Sequence, residues 1–466
     1  MTALWTSDDA TRATGGTATT GFACTGLSID TRSLAPGDLF IALKDQRDGH
    51  DFVANAFAAG AAAALVTRRP DGVDETQPLL IVEDVQEALE DLAHAARSRT
   101  VAKVVGITGS VGKTSTKDML RHVLAKQGKV HAAEKSFNNH WGVPLTLARC
   151  PVDADFAVIE IGMNAPGEIA PLAKLASLDV AIVTTVAAAH LAAFESLEGI
   201  AHEKGSIFEG LNEGGTAIFN GDLDTTAILQ DAAAGAKSSL CFGTTEGTDI
   251  AVRDIELSAD QTSLIVDLLG DRYQVTLPLA GRHFAMNAAA VLAAVEAVGA
   301  NPAQAARDLS TWRPPAGRGT RESLNLAHGR LTLLDDAYNA NPTSMAAAFE
   351  VLAATPPSNQ GRRIAVLGDM LELGTTEVSL HANLAHHPSL AETCVLCVGP
   401  RMAHLHAALP EGQRLGHVSD ADAATEALLP HLRDGDVVLV KGSNGSRVSQ
   451  VVRALKAKAA ALEQGP

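Results

Sequence analysis

The chain alternates short apolar runs with longer amphipathic stretches from end to end, and that alternation predicts strands and helices in turn. In the first hundred residues the runs 38–43, 62–67 and 78–82 have the length and composition of strands, separated by alanine-rich helical stretches. Residues 85–99 read as a helix leading out of this unit. From Val101 the run V-A-K-V-V-G-I-T-G opens a second series, with further strands at 156–161 and 179–185. Alternation of this kind favours a parallel sheet covered by helices. Between Thr311 and Arg321 the breakers Pro314, Pro315, Gly317 and Gly319 interrupt both periodicities and mark a boundary. Beyond it the runs 331–335, 363–367, 393–398 and 436–440 alternate with helical stretches as a third α/β unit.

A length of 466 residues fits three such units, because single cores stop growing beyond about 250–300 residues. Acidic side chains outnumber basic ones by 54 to 37, a net charge of −17 that repels nucleic acid and anionic membrane surfaces. A small anion such as ATP is not excluded, since a few basic groups and backbone N–H donors make a local positive pocket. The five cysteines, Cys24, Cys150, Cys241, Cys394 and Cys397, lack the spacing of a disulfide framework or zinc ribbon, and the lone C-x-x-C reads as core residues of a strand. The first twenty residues carry no export signal. The most apolar stretches, 52–66 and 180–194, are too short or too interrupted to span ~30 Å of hydrocarbon, so the expected compartment is the cytoplasm.

The strongest chemical signal is G-S-V-G-K-T, comprising Gly109, Ser110, Val111, Gly112, Lys113 and Thr114, directly after an apolar strand and before a helical stretch from Ser115 to Gln127. Small residues let backbone N–H groups face phosphate oxygens, Lys113 can neutralise β/γ-phosphates, and Thr114 can ligate Mg²⁺. Ile107 stands where the full Walker pattern has its first glycine, so the loop is a variant. Glu160 ends the strand F-A-V-I-E, at the sheet edge where Mg²⁺ needs an oxygen. In the stretch 195–211, Leu197, Ile200, Ala201, Phe208 and Leu211 recur at helical spacing, and Lys204 falls inside their stripe. A buried unpaired cation costs several kcal/mol, so Lys204 is expected to meet an anion or metal site, to be modified, or to snorkel outward. His190 follows a strand that reaches the same rim of the sheet and is a candidate metal ligand.

The segments T-G-S-V-G-K-T, V-I-E-I-G-M-N, A-H-L-A-A-F-E-S and E-K-G-S-I-F together resemble the Mur ligase family, which builds the peptide stem of bacterial cell-wall precursors. Within that family D-D-A-Y-N-A-N-P, V-L-G-D-M-L-E-L-G and V-K-G-S look like those of the member that handles a dipeptide. The resemblance implies that a carboxylate of UDP-N-acetylmuramoyl-tripeptide is phosphorylated by ATP, and that the amine of D-alanyl-D-alanine then displaces phosphate. It implies that Thr114 and Glu160 hold one Mg²⁺, that His190 holds a second, and that Lys204 is a carbamylated, metal-facing lysine, with Lys113, His190 and Lys204 as the catalytic set. G-R-H-F-A-M-N resembles the adenine-binding stretch and makes Asn287 an adenine contact, although Phe284 stands where an Asn is common. Ser115, Arg318, Asp336 and Tyr338 complete the implied nucleotide contacts. Thr31 in D-T-R-S, Asn138 and Asn139 in S-F-N-N-H-W-G, and Lys441 and Ser443 in V-K-G-S are the implied substrate contacts, while Ser446 and Arg447 depart from the methionine-rich continuation of the family.

The expected architecture is α/β in three domains. A small uridine-nucleotide-recognition domain spans residues 1–100, a central P-loop parallel-sheet ATPase domain 101–315, and a Rossmann-like closing domain 316–466. The expected assembly is a monomer that binds neither nucleic acid nor membrane. A relative adding a single amino acid, of muramoyl-peptide or folate type, and a nucleotide-dependent binding protein without ligation are the alternatives.

Overall fold

In a computed structural model that describes residues 3–133, 136–189, 191–327 and 329–463, three large sheets follow one another along the chain, besides a two-stranded antiparallel pair of Trp5–Thr6 with Ala23–Cys24. The first has five strands in the order Thr17–Ala18, Leu79–Ile81, Ala63–Val66, Asp38–Ile41 and Gly26–Ser28. All its pairings are parallel except that of Thr17–Ala18 with Leu79–Ile81. The helix Val85–Arg99 covers it, started by Asp84, whose side chain accepts from the Gln86 and Glu87 N–H groups, and ended with Arg97 and Arg99 in its last turn.

The second sheet has nine strands. Its core order is Leu211–Asn220, Leu178–Val183, Lys103–Thr108, Phe156–Glu160 and Val130–Ala132, all parallel. Side chains alternate across it. Val105, Ile107, Val158 and Ile182 face the helices Lys113–Leu124 and Arg282–Ala297, while Val104, Ile159, Ala181 and Val183 face Val143, Leu147, Ile169 and Ile200 on the other side. The expected parallel sheet is incomplete as a description. Beyond Ser238–Gly243 the strands Ile250–Leu257, Thr262–Leu268 and Asp271–Leu277 form an antiparallel meander on its edge. Leu269 and Gly270, both at positive φ (50° and 99°), make the tight turn between the last two.

The third sheet runs Thr320–Leu326, Gly329–Asp336, Val437–Lys441, Arg363–Gly368, Thr393–Val398 and Arg414–Val418, parallel except for its first pair. Cys397 is buried in one of its strands and burial pushes its thiol up to about 12, so this cysteine is core, while Cys394 of the same strand is half-buried. The stripe expected over 195–211 is split into an α-helix at Leu197–Gly205, a 3-10 turn at Ser206–Gly210 and a strand from Leu211. Leu197, expected on the inner face, is 38% exposed. Among the described residues no helix is long and apolar enough to cross a membrane.

Candidate active site

The phosphate loop sits between strand Lys103–Thr108 and a helix that begins at Lys113, two residues earlier than the sequence suggests, because Lys113 and Thr114 form its first turn. Gly109 and Gly112 take φ of 147° and 93°, conformations that side chains resist. The loop is tied down from the next strand. Thr184 Oγ1 donates to Val111 O at 2.6 Å, Ser110 N to Thr185 O at 2.8 Å, and Ser110 Oγ exchanges bonds with the backbone of Ala187 at 3.0 and 3.1 Å.

Lys113 Nζ donates to Gly109 O, and burial depresses its pKa, with Arg318 adding repulsion and Glu160 opposing both. Glu160 is the last residue of its strand and 2% exposed. Its Oε1 accepts from Thr114 Oγ1 at 3.1 Å and Asn138 Nδ2 at 2.9 Å, and its Oε2 lies 3.5 Å from Lys117 Nζ. Thr114 Oγ1 also lies 3.1 Å from Ser136 Oγ. The hydroxyl oxygens of Thr114 and Ser136 and the carboxylate of Glu160 suit a hard divalent cation. Among the described residues no group of three or more His, Cys, Asp or Glu converges on one point. His190 lies outside the described residues.

The third domain closes the other wall. Arg318 stacks over the Tyr338 ring at 4.0 Å, and Lys441, 2% exposed, pairs with Asp336 Oδ2 at 2.6 Å and donates to Asn339 O at 3.0 Å. Between the two walls lies an open cleft of about 260 Å³. It gathers Ser110, Val111, Gly112, Lys113, Thr114, Ser115, Asn138, Asn139, Glu160, Arg318, Asp336, Tyr338 and Lys441, residues more than three hundred positions apart in the sequence.

Other candidates stand back from that cleft. Gly109 lies behind the loop, and Asn287 is buried where a Cβ on Gly112 would meet its Oδ1 at 2.7 Å. Ser443 accepts from Leu371 N and donates to Ala340 O, holding two backbone segments together. Asn139 lines the cleft and its side chain also accepts from Gly142 N at the start of a helix. Thr31 sits half-buried in a turn of the first domain, away from the phosphate loop.

Lys204 is 1% exposed, and among the described residues its amine donates to Met163 Sδ at 3.9 Å, Met163 itself lining the cleft. Burial, then the nearby Lys113 charge, hold its pKa well below the usual lysine range, opposed by Glu203. Two groups at the site escaped the sequence reading, Lys117 behind Glu160 and His283 on the cleft wall. Lys117 lies one helical turn beyond Lys113, a spacing that could have found it. His283 stacks on Phe284 with centroids 4.0 Å apart, and its pKa is pushed down to about 4, by burial first, with Asp336 opposing and Lys441 adding to the fall, so the ring is neutral near pH 7.

A phosphate loop facing basic and acidic side chains of a second α/β unit defines a nucleotide-dependent enzyme whose site is completed by its third domain. Models of the Mur ligase family's catalytic domain, the Mur ligase middle domain, and the Mur ligase glutamate ligase domain match residues 23–97, 107–295 and 322–444. The UDP-N-acetylmuramoyl-tripeptide–D-alanyl-D-alanine ligase of Bacillus subtilis (strain 168) is 35% identical over 445 residues, covering 92% of this chain and 93% of that protein. Its counterpart from Escherichia coli (strain K12) is 38% identical over 434 residues, with the same coverage of 92% and 93%. A crystal structure of MurF from Acinetobacter baumannii superposes with a TM-score of 0.84 at 29% identity, covering 97% of this chain and 98% of that one. MurF ligase from Thermotoga maritima, solved in complex with ADP, gives 0.77 at 26% identity over 93% and 97%. The chain belongs to the Mur ligase family.

Proposed function

We propose that this protein is an ATP-dependent ligase joining D-alanyl-D-alanine to UDP-N-acetylmuramoyl-tripeptide in peptidoglycan precursor synthesis. The carrying observation is the single cleft in which Lys113, Thr114 and Glu160 of the phosphate loop region face Arg318, Asp336 and Lys441 of the third domain. Two relatives named for this reaction are 35% and 38% identical to the chain over 92% of its length, which supports the same reading.

A substrate carboxylate oxygen forms a bond to the γ-phosphorus as the β–γ bridging bond breaks, releasing ADP and leaving an acyl phosphate. The free amine of the dipeptide then attacks the acyl carbon. It loses a proton, and the carbon–phosphate bond breaks to give the amide and inorganic phosphate. Lys113 and Arg318 converge on the transferring phosphoryl and offset its charge, and closure of the third domain excludes the water that would hydrolyse the intermediate. Ser110, Val111, Gly112 and Ser115 cradle the phosphates, while Tyr338, Asp336 and Asn287 serve the nucleoside.

Mg²⁺ fits the oxygens of Thr114 and Glu160, and when bound it would neutralise phosphate charge. Lys204 fits the carbamylated lysine: CO₂ adds to an uncharged amine, the form that burial and the Lys113 charge favour, and the resulting anion would sit beside Lys113. Thr31, Asn138, Asn139, Lys441 and Ser443 are assigned to substrate recognition, directly or by shaping the wall. Domain limits at residues 100 and 315 belong to the same proposal, since among the described residues no sheet crosses either. A cytoplasmic monomer follows from the need for ATP and a UDP-linked substrate and from one cleft completed within one chain.

The test is ATP-dependent phosphate release and product mass with UDP-N-acetylmuramoyl-tripeptide, comparing D-alanyl-D-alanine with single amino acids. Adduct with the dipeptide alone is expected. Turnover with a single amino acid would move the chain to another branch of the family, and phosphate release independent of both substrates would overturn ligation.

A further inference from the structure

Between the strand Leu178–Val183 and the helix Leu197–Gly205, the chain makes contacts in two directions. Near its start, Thr185 O accepts from Ser110 N at 2.8 Å, and Ala187 holds both sides of the Ser110 hydroxyl at 3.0 and 3.1 Å. Further on, Ala192 N donates to Glu372 O at 3.2 Å, in the third domain. The partner is a loop at 369–374 whose backbone is unusual: Glu372 takes φ of 65° and Gly374 φ of 63°. A Cβ on Gly374 would lie 3.2 Å from both Ala192 Cα and Leu191 O, so only a bare Cα seats there without displacement.

That loop is rigidly held from its own side. Met370 N donates to the buried His381 Nε2 at 3.0 Å, Leu371 N to Ser443 Oγ at 3.0 Å, and Ser443 N to Asp369 O at 3.0 Å. The Asp369 carboxylate accepts from Met402 N at 2.9 Å and lies 3.6 Å from Arg401, which also pairs with Glu377 at 2.6 Å. The most conspicuous string of the third domain, V-L-G-D-M-L-E-L-G, therefore builds a fixed projection whose tip meets the central domain. None of these residues beyond Ser443 is used by the chemistry above.

We infer that Gly374 is a positioning residue for ligation: the loop 369–374 sets the third domain's register against residues 191–192, and the segment from Thr185 onward carries that register to Ser110 in the phosphate loop. Closure and phosphate-loop geometry are then one event, coupled through the backbone contacts that Thr185, Ala187 and Ala192 make. The inference rests on the ligase reading for its catalytic consequence but not for the coupling itself.

The test uses the full chain and two substitutions on opposite sides of the contact. Gly374→Val adds bulk from the third domain, and Ala192→Pro removes the donor from the central domain, with Gly374→Ala as the milder form. Hydrogen exchange read at the Ser110 amide, which donates to Thr185 O, should accelerate at least threefold in both Gly374→Val and Ala192→Pro while the thermal unfolding temperature holds. Ligation kcat should fall tenfold or more in each, less in Gly374→Ala, and the double variant should lose no more than the worse single. Wild-type exchange at Ser110 in both variants, or kcat losses that multiply, would overturn the coupling. Absence of ligation by the unmodified protein would instead remove the ligase reading, and the exchange arm would still decide the coupling.

Discussion

At the scale of single residues, Lys204 is the clearest departure from what stability alone would select. Its amine is buried beside Lys113 and its pKa is depressed well below 10.5. Between that depressed value and 10.5 the unfolded chain binds more protons than the folded one, so the residue subtracts from stability there, and the subtraction fades as pH rises to 10.5. Lys204→Met should therefore raise the unfolding temperature at pH 7 in CO₂-free buffer, by roughly 2–4 °C for each kcal/mol recovered, and lose that gain near pH 10.5. The same variant should lose ligation. A drop in unfolding temperature at pH 7 would mean that Lys204 is paired and charged in the fold. Glu160 is the opposite case, a carboxylate ion-paired at 3.5 Å with Lys117, both almost fully buried. Glu160→Gln removes one member of that pair, a change that costs about 3–5 kcal/mol in comparable buried pairs. Its kcat should also fall roughly 10²–10³-fold through lost charge stabilisation. Urea unfolding and phosphate release across a MgCl₂ series measure the two effects; wild-type stability together with wild-type Mg²⁺ dependence would dismiss the assigned role.

At the scale of elements, the phosphate loop is shaped by what lies behind it as much as by its own glycines. A Cβ on Gly109 would fall 1.9 Å from Thr184 Oγ1, whereas one on Gly112 would meet the movable Asn287 amide at 2.7 Å. Gly109→Ala should cost about 2–4 kcal/mol through overlap and an unfavourable φ, and more than Gly112→Ala, whose main effect should be weaker ADP binding. Denaturant unfolding and ADP titration separate the two, and equal destabilisation would contradict the arrangement. Legibility differed among elements for physical reasons. The helix Val85–Arg99 was fully readable because an aspartate cap, an apolar stripe and basic last-turn residues all agree. The loop, Glu160 and the inward Lys204 were readable because strand ends and helix faces follow from periodicity. The antiparallel meander at 250–277 was missed: two-residue alternation such as the buried and half-buried pattern of Thr262–Leu268 needs its hairpin partner before its direction can be assigned. Lys441 and Asp336 belong to adjacent parallel strands that are 105 positions apart, so their ion pair could not be read from local pattern.

At the scale of the whole molecule, the three domains are not joined alike. Leu145 and Ala148 of the central domain lie inside the first domain's core, Trp5 Nε1 donates to Ala148 O at 2.9 Å, and the Arg149 guanidinium reaches Leu27 O at 2.7 Å. The third domain is held more lightly, by the segment around Gly317 and Gly319, by Arg321 donating to Ala259 O, and by the tip at Glu372 and Gly374. The first two domains should consequently unfold as one cooperative body and the third as another. Trp5, 2% exposed and stacked under Arg99 at 3.8 Å, belongs wholly to the first body. Trp5→Ala should remove about 3–5 kcal/mol from it, lowering one calorimetric transition and leaving the second in place. ADP contacts both walls of the cleft in the proposed complex, so it should raise both transitions and draw them together. A single transition shifted as a unit by Trp5→Ala without nucleotide would show instead that the third domain is already locked to the others, and closure would then be no separate step in the reaction.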